Sequence, residues 1–341
     1  MTKIRFILLC FVAVITIIGT TACSGKSTAA ATADTADTDA TDAGITACAD
    51  SLYAYVSAQT SLGPRTPGSD AHSRCAAMLQ ARLRLAGAEV STDAGSGTLA
   101  DGTPIPFVNI LGRFNGTDST QRILLLAHYD TRPWADEDPD QANHNRPIDG
   151  ANDGASGVAV LLEVARHIAA KTPAVGIDLL FTDAEDSGQS APDDADYATA
   201  LRYENTWCIG TQHWVRNMPY HVGSADAPQY AILVDMVGAP GAVFAKEYFS
   251  MRSAPQVVNK VWDAAARRGY GDMFVQRQGN PINDDHIHII RAGIPAIDII
   301  DAGRPEGFTP GWHTMADDID NIDRRTLTAV AQVLLDIIYS E

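Results

Sequence analysis

Four short apolar runs, at positions 123–128, 177–183, 230–237 and 296–301, each lead into an acid or a histidine. They are four to eight residues long and rich in Ile, Leu and Val, which predicts strands buried on both faces. A sheet buried on both faces needs helices above and below it. Apolar residues at helical spacing over 47–61, 71–87, 158–170, 254–268 and 324–339 supply them. This alternation predicts a single α/β domain with a central mixed, mostly parallel β-sheet flanked by helices. The polar segments 132–150 and 187–206 read as loops that follow strand ends, where open α/β sheets bind their ligands.

The strand ends concentrate unusual chemistry. The first run leads into His128-Tyr129-Asp130, the second into Asp183-Ala184-Glu185-Asp186, the third contains Asp235 and the fourth ends at Asp301. Gly150-Ala151-Asn152-Asp153 forms a turn that opens a helix, and Asn283-Asp284-Asp285-His286 and Trp312-His313-Thr314 follow near the C-terminus. One acid after a strand is ordinarily a cap or a solvated turn. Several converging on one end of one sheet repel each other and lose hydration, and a divalent cation resolves both costs. Two carboxylates and one neutral imidazole suit tetrahedral zinc with an open position. Sites for Mg²⁺ or Ca²⁺, built from oxygen alone, would not call for His313. The neighbours Glu185 and Asp186 can divide the work, one holding the metal and the other moving a proton.

The chain has 341 residues, 25 basic and 42 acidic, for a formal charge of -17, which excludes a general nucleic-acid binder. A hydrophobic content of 45% excludes disorder of the whole chain. Lys3 and Arg5 precede an apolar run over 6–19 that ends at Thr20-Thr21-Ala22-Cys23. The pattern resembles a bacterial lipoprotein signal peptide over 1–22, although Thr20 stands where a large aliphatic residue is usual. The expectation is an exported cell-envelope lipoprotein that meets the membrane only through a lipid on Cys23. An Ala/Thr/Asp-rich stretch over 23–44 reads as a flexible tether, and the catalytic domain occupies 45–341. Cys48 and Cys75 fall on neighbouring predicted helices in an oxidising compartment; spacing alone does not join them.

The ordered set of segments resembles the glutaminyl-peptide cyclotransferases (glutaminyl cyclases) of the zinc-dependent exopeptidase (peptidase M28) family. Gly63-Pro64-Arg65-Thr66-Pro67-Gly68-Ser69, His128-Tyr129-Asp130, Gly150-Ala151-Asn152-Asp153 and Asp183-Ala184-Glu185-Asp186 carry the resemblance in the first half. Trp207-Cys208-Ile209-Gly210, Val234-Asp235-Met236-Val237-Gly238-Ala239-Pro240, Asp284-Asp285-His286-Ile287 and Trp312-His313-Thr314-Met315 carry it in the second. The resemblance implies one zinc ion per chain on Asp153, Asp186 and His313, with Glu185 as general acid and base. It implies Asp235 and Asp285 as a hydrogen-bonded acid pair at the substrate amine, and Phe308 and Trp312 as pocket walls. The implied substrates are peptides or proteins with N-terminal glutamine. Two departures stand out. Asp186 is one methylene shorter than the glutamate of the animal enzymes, and Ser187-Gly188-Gln189 replaces the tryptophan that follows their acid pair. A zinc aminopeptidase of the same fold is the rival reading, because His128 and Asp235 can hold a second metal with Asp153 bridging. A binding protein on a disabled enzyme fold would have lost metal or base residues, and none is missing.

Overall fold

Strands buried on both faces must alternate their side chains between two helix layers. The computed structural model, which describes residues 44–118 and 121–341, shows that alternation. The expected leader and Cys23, and the tether up to residue 43, lie outside the described residues.

The strands are β1 (Glu89–Thr98), β2 (Pro104–Phe114), β3 (Arg122–His128), β4 (Gly176–Thr182), β5 (Tyr230–Asp235), β6 (Phe244–Lys246), β7 (Phe274–Gln278) and β8 (Ala296–Ile300). The helices are α1 (Ala49–Thr60), α2 (Asp70–Leu85), α3 (Ala155–Ala170), α4 (Tyr197–Glu204), α5 (Ile209–Trp214), α6 (Tyr248–Ser253), α7 (Pro255–Arg267), α8 (Asp285–Arg291) and α9 (Arg324–Ser340). The main sheet has the order β1-β2-β4-β3-β5-β8, and β6 pairs with β7 in a small separate sheet. Strands β4, β3, β5 and β8 run parallel, whereas β1 and β2 join antiparallel at one edge. The sheet is therefore mixed and mostly parallel, as the apolar runs predict.

Every residue of β3, β4, β5 and β8 is buried. Ile123, Leu125 and Ala127 pack into the larger core with residues of α1, α3, α7 and α9, while Leu124 and Leu126 pack with Trp214, Ile289 and Ile294 on the opposite face. Full burial of one such aliphatic side chain is worth about 2 kcal/mol, so these strands anchor the molecule. The register matters for function. His128 sits opposite Thr182, and Asp235 opposite Ile300, so the C-terminal ends of all four parallel strands lie along one rim.

The departures from the sequence reading are local. β1 escapes an apolar-run search because none of its residues is buried, and β2, though largely buried, is interrupted by Pro106, Asn109 and Gly112. α4 arises within the segment read as the loop 187–206, and none of its residues is buried. α5 and α8 span only six and seven residues, too short to show a helical period. Cys48, Cys75 and Cys208 are all free thiols, so Cys48 and Cys75 do not pair.

Candidate active site

Each chemical group at the rim arrives on the end of a rigid element. His128 is the last residue of β3 and Asp235 the last of β5. Asp153 precedes α3, whose N-cap is Gly154. A Cβ on Gly154 would lie 2.4 Å from the His128 carbonyl oxygen and 2.7 Å from its ring, so only glycine lets this turn approach β3. Asp317 accepts the backbone N–H groups of Asn152 and Asp153 at 2.6 and 3.1 Å and fixes the same turn from the other side.

Asp153, Asp186 and His313 come together with one donor atom from each within 4.8 Å of the others. His313 Nε2 lies 3.2 Å from Asp186 Oδ1 and 3.7 Å from Asp153 Oδ2. His128, Asp153 and Asp235 form a second such group, with His128 Nε2 at 3.0 Å from Asp153 and 3.1 Å from Asp235. Asp153 belongs to both. Asp186 Oδ2 is buried and has no hydrogen-bond partner among the described residues, so a cation would satisfy it. Two carboxylates and an imidazole with an orphaned carboxylate oxygen fit a divalent metal.

Electrostatics follow from burial. Burial pushes the Asp153 carboxyl up to about 6, and the charges of Asp186 and Asp235 push the same way. Burial also raises Asp186, but His313 and Arg132 outweigh it and hold that carboxyl below its ordinary value. Glu185 stands well above the usual carboxylate range, first through burial and then through Asp284 beside it. A carboxyl raised in this way can both accept and return a proton near neutral pH.

Asp153, Glu185, Asp186, Trp207, Asp235, Asp284, Phe308, Trp312 and His313 line one cavity of about 350 Å³. Phe308 and Trp312 pack with ring centroids 4.6 Å apart, and Trp312 stacks on His313 at 3.8 Å. The structure thus gathers seven of the eight expected residues and excludes Asp285. The expected Asp235–Asp285 pair is corrected: Asp285 Oδ2 accepts the Thr182 hydroxyl at 2.5 Å, and the residue does not line the cavity. Asp284 takes the place. It is the N-cap of α8, extended at φ -152°, so its side chain stays at the rim while Asp285 turns inward with the first helical turn.

Sequence reasoning also missed Trp207. It lies parallel to His313, with centroids 6.4 Å apart, and furnishes the wall that the missing tryptophan after Asp186 leaves open. Among the described residues, the non-glycine residues with left-handed φ are Ala184 (50°), Cys208 (54°), Met236 (48°) and His313 (54°). All four are in this site or adjoin its acids, which concentrates backbone strain where side chains must be aimed. Cys208 is the thiol that donates to Glu185 Oε1, at 3.3 Å.

Residues 109–338 match Peptidase family M28. Bovine glutaminyl-peptide cyclotransferase is 27% identical over 257 residues, which cover 67% of this chain and 64% of that enzyme's length. The glutaminyl cyclase of Bacteroides thetaiotaomicron, solved with N-acetylhistamine, is 45% identical at a TM-score of 0.80, covering 87% of this chain and 99% of its own. A leucine aminopeptidase precursor from the same species is 44% identical at a TM-score of 0.79, covering 87% of this chain and 98% of its own. A mixed sheet that delivers carboxylates and histidines to one rim, together with these likenesses, gives the conclusion: the chain belongs to peptidase family M28.

Proposed function

We propose that the protein is a glutaminyl-peptide cyclotransferase that closes an N-terminal glutamine to pyroglutamate and releases ammonia. The observation that carries this reading is the setting of Glu185. Its raised carboxyl shares a small cavity with Asp235 and Asp284, walled by Trp207, Phe308 and Trp312. The likeness to glutaminyl cyclases over nearly their full length supports it.

Asp153, Asp186 and His313 would hold one zinc ion, whose contribution when bound is to polarise the side-chain carbonyl and stabilise negative charge on its oxygen. The protein's own groups do the rest. The aromatic walls fold the glutamine so that its α-amine meets its own side-chain carbonyl carbon, and such positioning supplies much of the acceleration for an intramolecular attack. Asp235 and Asp284 receive the amine. As the new C–N bond forms, Glu185 takes a proton from the amine nitrogen. It returns that proton to the side-chain nitrogen, which departs as ammonia when the old C–N bond breaks.

A second reading has its own observation in favour: the intact group His128, Asp153 and Asp235 suits a two-metal aminopeptidase. One experiment separates them. The protein is incubated with Gln-Xaa and Leu-Xaa peptides, and ammonia and free amino acids are followed separately. Ammonia without free amino acid is expected, with about one zinc per chain. Released leucine and two tightly held metals would establish the aminopeptidase instead.

A further inference from the structure

Both departures noted in the sequence meet at one buried residue, Arg132. Its side chain is 2% exposed. Nε and Nη2 grip the two oxygens of Asp136 at 2.6 and 2.5 Å. Nη1 faces the other way, at 3.2 Å from Asp186 Oδ1, from the Asp186 carbonyl and from the Gly188 carbonyl. The guanidinium lies 5.3 Å from the Trp134 ring and 5.1 Å from the Trp207 ring. Asp136, held by Arg132, in turn stands 3.6 Å from His313 Nδ1. One cation thus touches a proposed metal ligand directly, a second through Asp136, and the aromatic wall by stacking.

The arrangement answers a physical need. An aspartate reaches one methylene less far than a glutamate, so its carboxylate must be held at the right depth and rotation. Arg132 holds Oδ1, the oxygen that also lies 3.2 Å from His313 Nε2, and leaves Oδ2 without a hydrogen-bond partner among the described residues. Trp207 must enter from a distant stretch of chain, and the guanidinium gives its face a partner. Gly188 completes the fit, because a Cβ there would lie 1.8 Å from the Trp207 ring. Lysine cannot substitute, since a point charge neither forks between carboxylate and carbonyls nor stacks between two indoles.

We propose that Arg132 is a positioning residue that adapts this site to an aspartate metal ligand and to a pocket wall supplied by Trp207. Holding Asp186 sets metal retention. Seating Trp207 sets the fit of the substrate, and only this second part rests on the cyclase reading.

The test uses the full chain and the variants Arg132→Lys, Arg132→Met and Gly188→Ala. Zinc retention is measured by competition with a chromogenic chelator, without substrate, and kcat and KM are measured with a Gln-peptide. Melting of the metal-free proteins shows which variants fold. Both Arg132 variants should lose zinc roughly 10- to 100-fold more readily, the range for groups that orient metal ligands. Gly188→Ala should raise KM about tenfold or more while zinc retention stays at the wild-type level, because it displaces the ring and leaves the Asp186 contact. Arg132→Met serves only if it folds; Arg132→Lys and Gly188→Ala decide the matter in either case. Wild-type zinc retention in Arg132→Lys overturns the ligand half, and an unchanged KM in Gly188→Ala overturns the wall half. A wild-type protein that releases no ammonia refutes the cyclase reading and leaves the zinc comparison intact.

Discussion

Replacing Glu247 with glutamine tests how the far wall of the cavity is held. Glu247 is 2% exposed and serves as the N-cap of α6. Its carboxylate accepts Phe249 N–H at 2.9 Å, Ser250 N–H at 2.6 Å, the Ser250 hydroxyl at 2.7 Å and Ile282 N–H at 3.1 Å. His286 Nε2 lies 3.3 Å away. Burial works to raise this carboxyl, but the contact with His286 and the amide donors outweigh it and bring the pKa from an ordinary 4.5 to about 2. At ~1.4 kcal/mol per pH unit, that displacement is worth about 3 kcal/mol of folding stability. The folded value lies below the unfolded one, so this stability is present above pH 4.5 and is lost as pH falls toward 2. Urea unfolding of wild type and Glu247→Gln, followed by tryptophan fluorescence, should differ by about 3 kcal/mol near pH 7 and equally at about pH 5.5. By about pH 3.5 the difference should shrink by roughly 1 kcal/mol. A difference that stays constant over this range would falsify the charge-based account and leave packing as the cause. Ile282 and Asp284 line the cavity, so the same substitution should also loosen substrate binding and raise KM.

Two substitutions address Glu185 itself. Glu185→Gln should cut kcat by about 10²- to 10⁴-fold with zinc content unchanged, because the proton shuttle is lost while the proposed ligands remain; full turnover would remove Glu185 from the role. Cys208→Ala should lower kcat about fivefold with KM unchanged, the worth of one ~1 kcal/mol hydrogen bond, and Cys208→Ser should restore most of it. Equal kinetics in the alanine and wild-type proteins would show that the thiol does not hold Glu185.

What the sequence revealed depended on how local each signal is. Leu124, Leu125 and Leu126 declare a buried strand by themselves, and a buried strand that ends in His128 declares a site. Glu185, Asp186 and Asp235 were legible for that reason, whereas Asp153, in the turn before α3, and His313, in the loop between β8 and α9, were assigned through the family resemblance. Asp284 and Asp285 were not separable, because adjacent acids at a helix start differ only in whether the backbone is extended or already helical. Arg132 and Trp207 lie 75 positions apart in the chain, and their stacking exists only after the segments on either side of β4 have packed. β1 carried little apolar signal because it is a partly exposed edge strand, and the apolar residues of the largely buried β2 are interrupted by Pro106, Asn109 and Gly112.

The shared position of Asp153 explains how one scaffold serves two chemistries. Its carboxylate touches both donor groups, so the reaction depends on what neutralises the remaining acids. A cation on Asp153, Asp186 and His313 would balance two carboxylates and leave Glu185, Asp235 and Asp284 in the same cavity. Burial pushes both Glu185 and Asp284 well above the carboxylate range; the charge of Asp284 raises Glu185 further, and the charges of Asp235 and Asp285 raise Asp284. Hydrolysis by two metals requires Asp235 as an ionised ligand and a metal-activated water. Cyclisation requires no water and only the transfer of one proton between two nitrogens of the same substrate. Glu185, Asp235 and Asp284 share one cavity with Trp207, Phe308 and Trp312, the groups such a transfer needs: carboxyls to hold an amine and move its proton, and flat walls to fold the substrate.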